Sequence, residues 1–223
     1  MKYKAIIFDM DGTILETEHI WEEATRSLII SRGFDFTAEL KHELDKLNKG
    51  NLLHSCCKNI KDILSLDDEI EDLVREKTKL AQTMYEHDLK FVTGFHDFHK
   101  KVIENNLKTA LATNAVDDFL NIVKKNKSIK LDELFGHHIY NPHHVNFIGK
   151  PHPDLYLHAA KQIEIHPEDC IAIEDTPTGI LSAKSAGMKC IGIDTGKNKD
   201  FLKQSDLIID DYNELDLEKI IKK

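Results

Sequence analysis

The sequence predicts an α/β protein, a doubly wound parallel sheet with an inserted helical region, and three observations carry that prediction. A short apolar run, Ala5 to Phe8, ends in two carboxylates, Asp9 and Asp11. Residues 16–88 then hold one long stretch of helical spacing with no strand signal. Beyond Phe91, apolar strand-like runs alternate with amphipathic helices, the pattern of a parallel sheet covered on both faces.

Ala5, Ile6, Ile7 and Phe8 are continuously apolar, as expected of a strand buried on both sides. Asp9 and Asp11 follow at its carboxyl end, where open α/β sheets bind ligands, and Gly12 allows a sharp turn. Residues two apart project on the same side of an extended segment, so both acids can serve one site. That suits metal and nucleophile chemistry, although an Asp-Gly pair also closes ordinary turns. The rest of the chain decides between these readings.

In the helical stretch, Ile20, Ala24, Leu28 and Ile29 recur at threes and fours. So do Leu40, Leu44 and Leu47, then Ile60, Ile63 and Leu64, then Ile70, Leu73, Val74 and Leu80. Four or five helices are too many for a simple strand-to-helix connection, so residues 16–88 are expected to form an inserted helical domain. Residues 1–15 and 89–223 would form the core. The polar stretches Asn48 to Asn51 and Ser65 to Glu69 read as loops between helices.

The core resumes with an amphipathic segment, Phe95 to Asn105, and a strand, Lys108 to Thr113, ending in Thr113-Asn114. A helix over Val116 to Lys125, a short strand around His138 to Tyr140 and a histidine-rich loop lead to Gly149-Lys150-Pro151. Pro153 suits a first helical turn, and Leu155 to Ile163 carries the apolar spacing. The strand Cys170 to Ile173 ends in a second acid pair, Glu174 and Asp175. After it come Thr178-Gly179-Ile180, a helix to Ala186-Gly187, and strands at Cys190 to Ile193 and Leu207 to Ile209.

A formal net charge of −9 supplies no global basic field, which argues against broad nucleic-acid or anionic-membrane binding. An anionic ligand must instead meet a locally basic pocket. The apolar run of MKYKAIIF stops at Asp9, too short for a signal peptide, and no run approaches the ~18 residues of a membrane span. A cytoplasmic location is therefore expected. Cys56 and Cys57 are adjacent and Cys170 and Cys190 lie in strand-like runs, so buried thiols are expected rather than a zinc or redox site.

Taken together, DMDGT at Asp9 to Thr13, Thr113-Asn114, GKPHPDLY at Gly149 to Tyr156 and EDTPTGI at Glu174 to Ile180 resemble the haloacid dehalogenase superfamily. Within it, the chain looks like the branch of β-phosphoglucomutase and small sugar-phosphate phosphatases. The resemblance covers the core in order and implies a Rossmann-like core, a helical cap and Mg2+ as cofactor. A phosphate monoester is inert unless it meets an in-line nucleophile, a proton donor for the leaving oxygen and positive charge around the phosphoryl oxygens. By the resemblance, Asp9 is the nucleophile and Asp11 the general acid and base. The Asp9 carboxylate, the Asp11 backbone carbonyl and Asp175 would serve magnesium, with Glu174 acting through a bound water. Thr113 and Asn114 would meet the phosphoryl group, although a Thr-Asn pair at a strand end is often only a helix cap. Lys150 would offset the charge of Asp9 and the phosphate.

By the resemblance, the helical region sets the substrate. Phosphoglucomutases of this branch carry a histidine four residues beyond the threonine matching Thr17, where this chain has Trp21; their arginine after a Lys-Gly pair is replaced near Leu53. Asn48, Lys49 and Lys77 are the candidate substrate contacts there, although exposed helix faces account for most lysines. A hydrolytic dehalogenase is disfavoured by Asp11 and Asp175. His137, His138, His143 and His144 are paired neighbours rather than ligands at i and i+4, so an exposed loop is favoured over a zinc site. The expected function is a magnesium-dependent phosphatase for a small phosphorylated metabolite, acting as a monomer. A phosphoglucomutase-type transferase is the alternative, and a non-catalytic ligand-binding module stands behind both.

Overall fold

The computed structural model describes residues 2–48, 53–196 and 199–222. They fold as two compact units, Met1–Glu18 with Leu89–Lys223, and His19–Asp88. In the first unit β1 (Ala5–Phe8) is followed in sequence by the helical region, α1 (Glu18–Ile30), α2 (Ala38–Asn48), α3 (Leu53–Leu64) and α4 (Ile70–Tyr85). The chain continues with α5 (Phe95–Glu104), β2 (Lys108–Ala112), α6 (Asp117–Lys125), α7 (Leu131–Phe135), β3 (Ile139–Tyr140) and α8 (Asp154–Gln162). It ends with β4 (Cys170–Glu174), α9 (Pro177–Ser185), β5 (Lys189–Ile193), β6 (Leu207–Ile209) and α10 (Leu217–Lys222).

The six strands form one parallel sheet in the order β3-β2-β1-β4-β5-β6. Successive strands step outward from β1 to β3 and then reverse at β4, so the crevice between the ends of β1 and β4 is the topological switch point where such sheets bind ligands. Phe8 lies level with Leu111 on one side and Ile173 on the other. One residue further, Asp9 therefore stands beside Glu174. Alternation along the strands sorts the two faces. Ala5 and Ile7, with Ala110, Ala112, Cys170 and Ala172, pack under Leu155, Tyr156 and Ala159 of α8 and Ile180 and Ala183 of α9. The small residues let α8 approach closely, and Asp9 and Glu174 continue that same row.

The opposite face is aromatic. The Phe8 ring lies 5.7 Å from Phe95, 5.8 Å from Phe135 and 5.9 Å from His99, at angles typical of edge-to-face and tilted pairs. His99 is out of place in that cage. Its Nε2 is the one buried side-chain nitrogen or oxygen without a hydrogen-bond partner among the described residues.

The helical unit has its own core of Leu28, Ile29, Leu44, Cys57, Ile60 and Leu73. Arg32 ties it together, its Nη2 lying 2.7 Å from Asp68 and 2.9 Å from Glu76. The four cysteines are all buried free thiols. Lys77, a candidate substrate contact in the sequence, does not lie on an exposed helix face. It is buried, with its ammonium 5.9 Å from the Trp21 ring, and burial lowers its pKa. Lys49, another candidate contact, lies outside the described residues.

Burial pushes the His99 imidazole down to about 4, with the neighbouring His96 adding to the effect. The unfolded chain takes up this proton near pH 6.5, whereas the folded chain resists it until about 4, so His99 costs stability as pH falls through that window. His99→Phe, which keeps a ring in the cage, is expected to raise stability at pH 4.5 by up to roughly 3 kcal/mol relative to its effect at pH 8. Urea unfolding of both proteins at the two pH values is the measurement; an equal effect at both would remove His99 from the acid limb.

Candidate active site

Three strand ends build the site. Asp9 follows β1, Thr113 follows β2, and Glu174 closes β4 with Asp175 next to it. Lys150 reaches the same place from the connection between β3 and α8 and is nearly buried. Its Nζ donates to Asp9 Oδ1 at 2.5 Å and to Glu174 Oε1 at 2.5 Å, bridging the two strands. The Tyr156 hydroxyl donates to the same Glu174 oxygen at 2.8 Å, and Thr176 donates to the other at 3.3 Å. Both Glu174 oxygens are thus satisfied, as a buried carboxylate requires.

Asp175 projects beside this group and accepts from the Thr13 hydroxyl at 3.4 Å. Asp9, Glu174 and Asp175 each offer a carboxylate oxygen within 4.8 Å of the others, a hard-oxygen donor set suited to magnesium. The fit extends to the backbone. Gly12 has φ +74°, and a Cβ there would collide with the Asp175 carboxylate. A Cβ on Gly179 would collide with Glu174 in the same way, so Thr176, which caps α9 by accepting from the Gly179 amide at 3.1 Å, is followed three residues later by a glycine that admits the acid.

The charges are unequal. Burial pushes the Asp9 carboxyl up to about 7, opposed by Lys150 and reinforced by Glu174 and Asp11. Burial, then the Asp9 and Glu174 carboxylates, push Asp175 well above the ordinary range. For Lys150, burial pulls downward, but Asp9 and Glu174 outweigh it and hold the ammonium charged. Asp11, two residues beyond Asp9, is only half-buried.

Thr113 is buried, and its hydroxyl oxygen accepts from the Ala115 amide at 3.0 Å, which leaves its proton free for another acceptor. Asn114 turns its carboxamide to Lys150, accepting from the Lys150 amide at 2.9 Å and donating to its carbonyl at 3.2 Å. Asn48 closes α2 and accepts from Asn59 at 2.9 Å within the helical unit. Asp9, Lys150, Glu174 and Asp175 come together, with Thr113 and Asn114 flanking them at the next strand end. Sequence reasoning assigned no role to Tyr156 or Thr176, although both lie inside its motifs. Their signal was position: Tyr156 falls on the first turn of the helix after Lys150, and Thr176 is the cap before Pro177. The histidines find local partners, His143 on Asp117 at 2.9 Å and His144 on Asn141 at 2.9 Å.

A parallel sheet with an acid cluster and a buried lysine at its switch point, interrupted after β1 by a helical region, defines a doubly wound α/β protein with an acidic site at its strand ends. A profile of the haloacid dehalogenase-like hydrolases matches residues 3–187, and the chain belongs to that family. It is 26% identical over 188 residues to the phosphorylated carbohydrates phosphatase of Thermotoga maritima, covering 84% of this chain and 83% of that one. It is 27% identical over 220 residues to the β-phosphoglucomutase of Bacillus subtilis, covering 96% and 92%. Among solved structures, a family IA hydrolase of Entamoeba histolytica superposes with a TM-score of 0.79 at 26% identity over 98% of both chains.

Magnesium chloride is expected to raise the Tm of the protein relative to sodium chloride of equal ionic strength, since ten times its Kd contributes about 1.4 kcal/mol. Asp175→Asn should raise the metal-free Tm by relieving crowded negative charge, and abolish the magnesium shift. Calorimetric melts of both proteins check this, and an undiminished shift in the variant would remove Asp175 from the cation site.

Proposed function

We propose that the protein is a magnesium-dependent phosphomonoesterase that acts on a small phosphorylated metabolite, a sugar phosphate by class, through a phosphoryl group carried on Asp9. The observation that carries this reading is the buried Asp9–Lys150–Glu174 bridge with Asp175 beside it and Asp11 two residues away. The name of the Thermotoga relative supports the substrate class.

Asp9 attacks phosphorus in line with the ester oxygen, and that P–O bond breaks as the Asp9 Oδ–P bond forms. Asp11 gives its proton to the departing alkoxide. In the second half, Asp11 takes a proton from water as the water oxygen attacks the same phosphorus, releasing inorganic phosphate and restoring Asp9. Lys150 holds positive charge against Asp9 and the phosphoryl oxygens throughout, and Thr113 has a hydroxyl proton to donate to one of them. Asp9 and Asp175, with the Asp11 main-chain carbonyl, would hold Mg2+, and Glu174 would serve it through a bound water; the ion when bound offsets the negative charge of nucleophile and phosphate. Half-exposure suits Asp11 to trade a proton with the leaving group and with water, whereas burial suits Asp9 to hold a covalent intermediate.

The Bacillus relative keeps a mutase as the second reading. Trp21 argues against it. Its indole nitrogen donates to the Tyr85 hydroxyl at 3.2 Å, and an indole cannot take and return a proton as an imidazole can.

Purified protein is expected to release inorganic phosphate from sugar phosphates and p-nitrophenyl phosphate only with magnesium. Asp9→Asn should lose on the order of 10³-fold or more of that activity. Asp11→Asn should lose roughly 10²- to 10⁴-fold on an alkyl phosphate and far less on p-nitrophenyl phosphate, whose leaving group needs little protonation. With β-glucose 1-phosphate and a trace of the 1,6-bisphosphate, phosphate release should outrun glucose 6-phosphate; the reverse order would establish the mutase. Retention of turnover by Asp9→Asn, with deamidation excluded, would sink the covalent mechanism.

A further inference from the structure

Lys150 lies outside every helix and strand, yet its ammonium meets two carboxylates on two different strands. A lysine stem is long and freely rotating, so holding its head between two acids requires the backbone at its root to be fixed. In regular structure a ladder or helix would do that. Here Asn114 does it. Its carboxamide accepts from the Lys150 amide at 2.9 Å and donates to the Lys150 carbonyl at 3.2 Å, the two bonds that a neighbouring strand would make.

The connection carrying Asn114 is itself tied to the one carrying Lys150. Asn141, buried at the end of β3, donates from Nδ2 to Asp117 Oδ1 at 2.6 Å and to the Ala115 carbonyl at 3.3 Å. His143 adds its bond to the second Asp117 oxygen. The segments following β2 and β3 are therefore laced by side-chain amides and one carboxylate, with Asn114 and Lys150 at the end nearest the acids.

We infer that Asn114 is a positioning residue that acts through Lys150, fixing its backbone so that its ammonium meets Asp9, rather than a substrate contact. This rests on the phosphatase reading, and it moves Asn114 from the substrate-binding role implied by its place in the Thr-Asn motif. The two roles differ in what happens when the lysine charge is absent. A group that works only through Lys150 becomes silent in that background, whereas a substrate contact adds its own loss.

The test is a double-mutant cycle of Asn114→Ala and Lys150→Met, which keeps the lysine stem and removes the charge, followed by p-nitrophenyl phosphate hydrolysis in saturating magnesium. Asn114→Ala alone is expected to lower kcat about 10- to 100-fold with KM within twofold, as loss of orientation rather than of binding. In the Lys150→Met background the same change should alter kcat by less than twofold. Hydrogen exchange of the Lys150 amide, read by NMR, supplies a measurement independent of activity, and Asn114→Ala should speed it at least 10-fold while exchange of the β1 amides is unchanged. Losses that multiply in the double variant, or a rise in KM that accounts for the whole effect, would overturn the inference in favour of a substrate contact. Unchanged Lys150 exchange would overturn it directly. A wild-type protein that hydrolyses no phosphomonoester would defeat the phosphatase reading, and the exchange measurement would still judge the clamp.

Discussion

The arrangement at the sheet's switch point depends on one buried ion cluster, the Lys150 ammonium shared between Asp9 and Glu174. Charges removed from water are costly unless every one is paired and every lone pair satisfied, and deleting one partner leaves the others exposed to that cost. Much of the surrounding chemistry answers this demand. Tyr156 and Thr176 complete Glu174, Asn114 completes the backbone of Lys150, and the Thr13 hydroxyl lies against Asp175. These groups come from four stretches of chain, residues 9–13, 114, 150–156 and 174–176, and all but Lys150 lie near the end of a strand or the start of a helix.

The sheet order makes that convergence possible. The chain supplies its acids 165 residues apart, at Asp9 and Glu174, yet β1 and β4 are hydrogen-bonded neighbours in register. The row of small residues beneath them, Ala5, Ala110, Ala112, Cys170 and Ala172, brings α8 close enough for Tyr156 to reach Glu174. A bulkier row would hold α8 away and remove one of the two donors on that carboxylate oxygen, leaving Lys150 alone on it. Core composition thus acts on the site at one remove, through helix height rather than through contact.

Much of this was legible in the sequence, because the informative residues carry local signals. Unbroken apolar runs mark strands, the acids mark their carboxyl ends, and the alternation after Phe91 fixes the doubly wound class. Strand bounds differ from the pattern by a residue or two: β2 ends at Ala112 and β4 extends through Glu174. The order of strands has no local signal and is read from the structure; the resemblance implied only that Asp9, Glu174 and Asp175 serve one site. Lys77 shows the opposite limit. A lysine on an amphipathic helix reads as solvated, and nothing nearby in sequence announces that α4 turns it inward beneath Trp21. His99 was equally silent, since a histidine among phenylalanines has no periodicity that separates a caged ring from a surface one. Asn114 was found by its motif, but its bonds to a residue 36 positions later could not be.

Two aspartates separated by one residue differ in environment because the fold buries them unequally. On the proposed reading, Asp9 must be an anion to attack phosphorus, yet burial raises its pKa to about 7, so its ionisation near neutrality depends on nearby positive charge. Lys150 supplies one such charge against the three carboxylates of Asp9, Glu174 and Asp175, and a phosphate monoester brings up to two more negative charges. At an effective dielectric constant of about 20, each like-charged pair 4 Å apart is repelled by roughly 4 kcal/mol, so one ammonium cannot balance the loaded site. On the proposed reading, the surplus of acids is met by a divalent cation. Asp11 stands at the half-exposed edge of this field, where a carboxyl can exchange a proton with water and leaving group at little desolvation cost. On that reading, burial separates nucleophile from proton carrier, the same division of duties that distinguishes paired acids with contrasting environments in other enzymes.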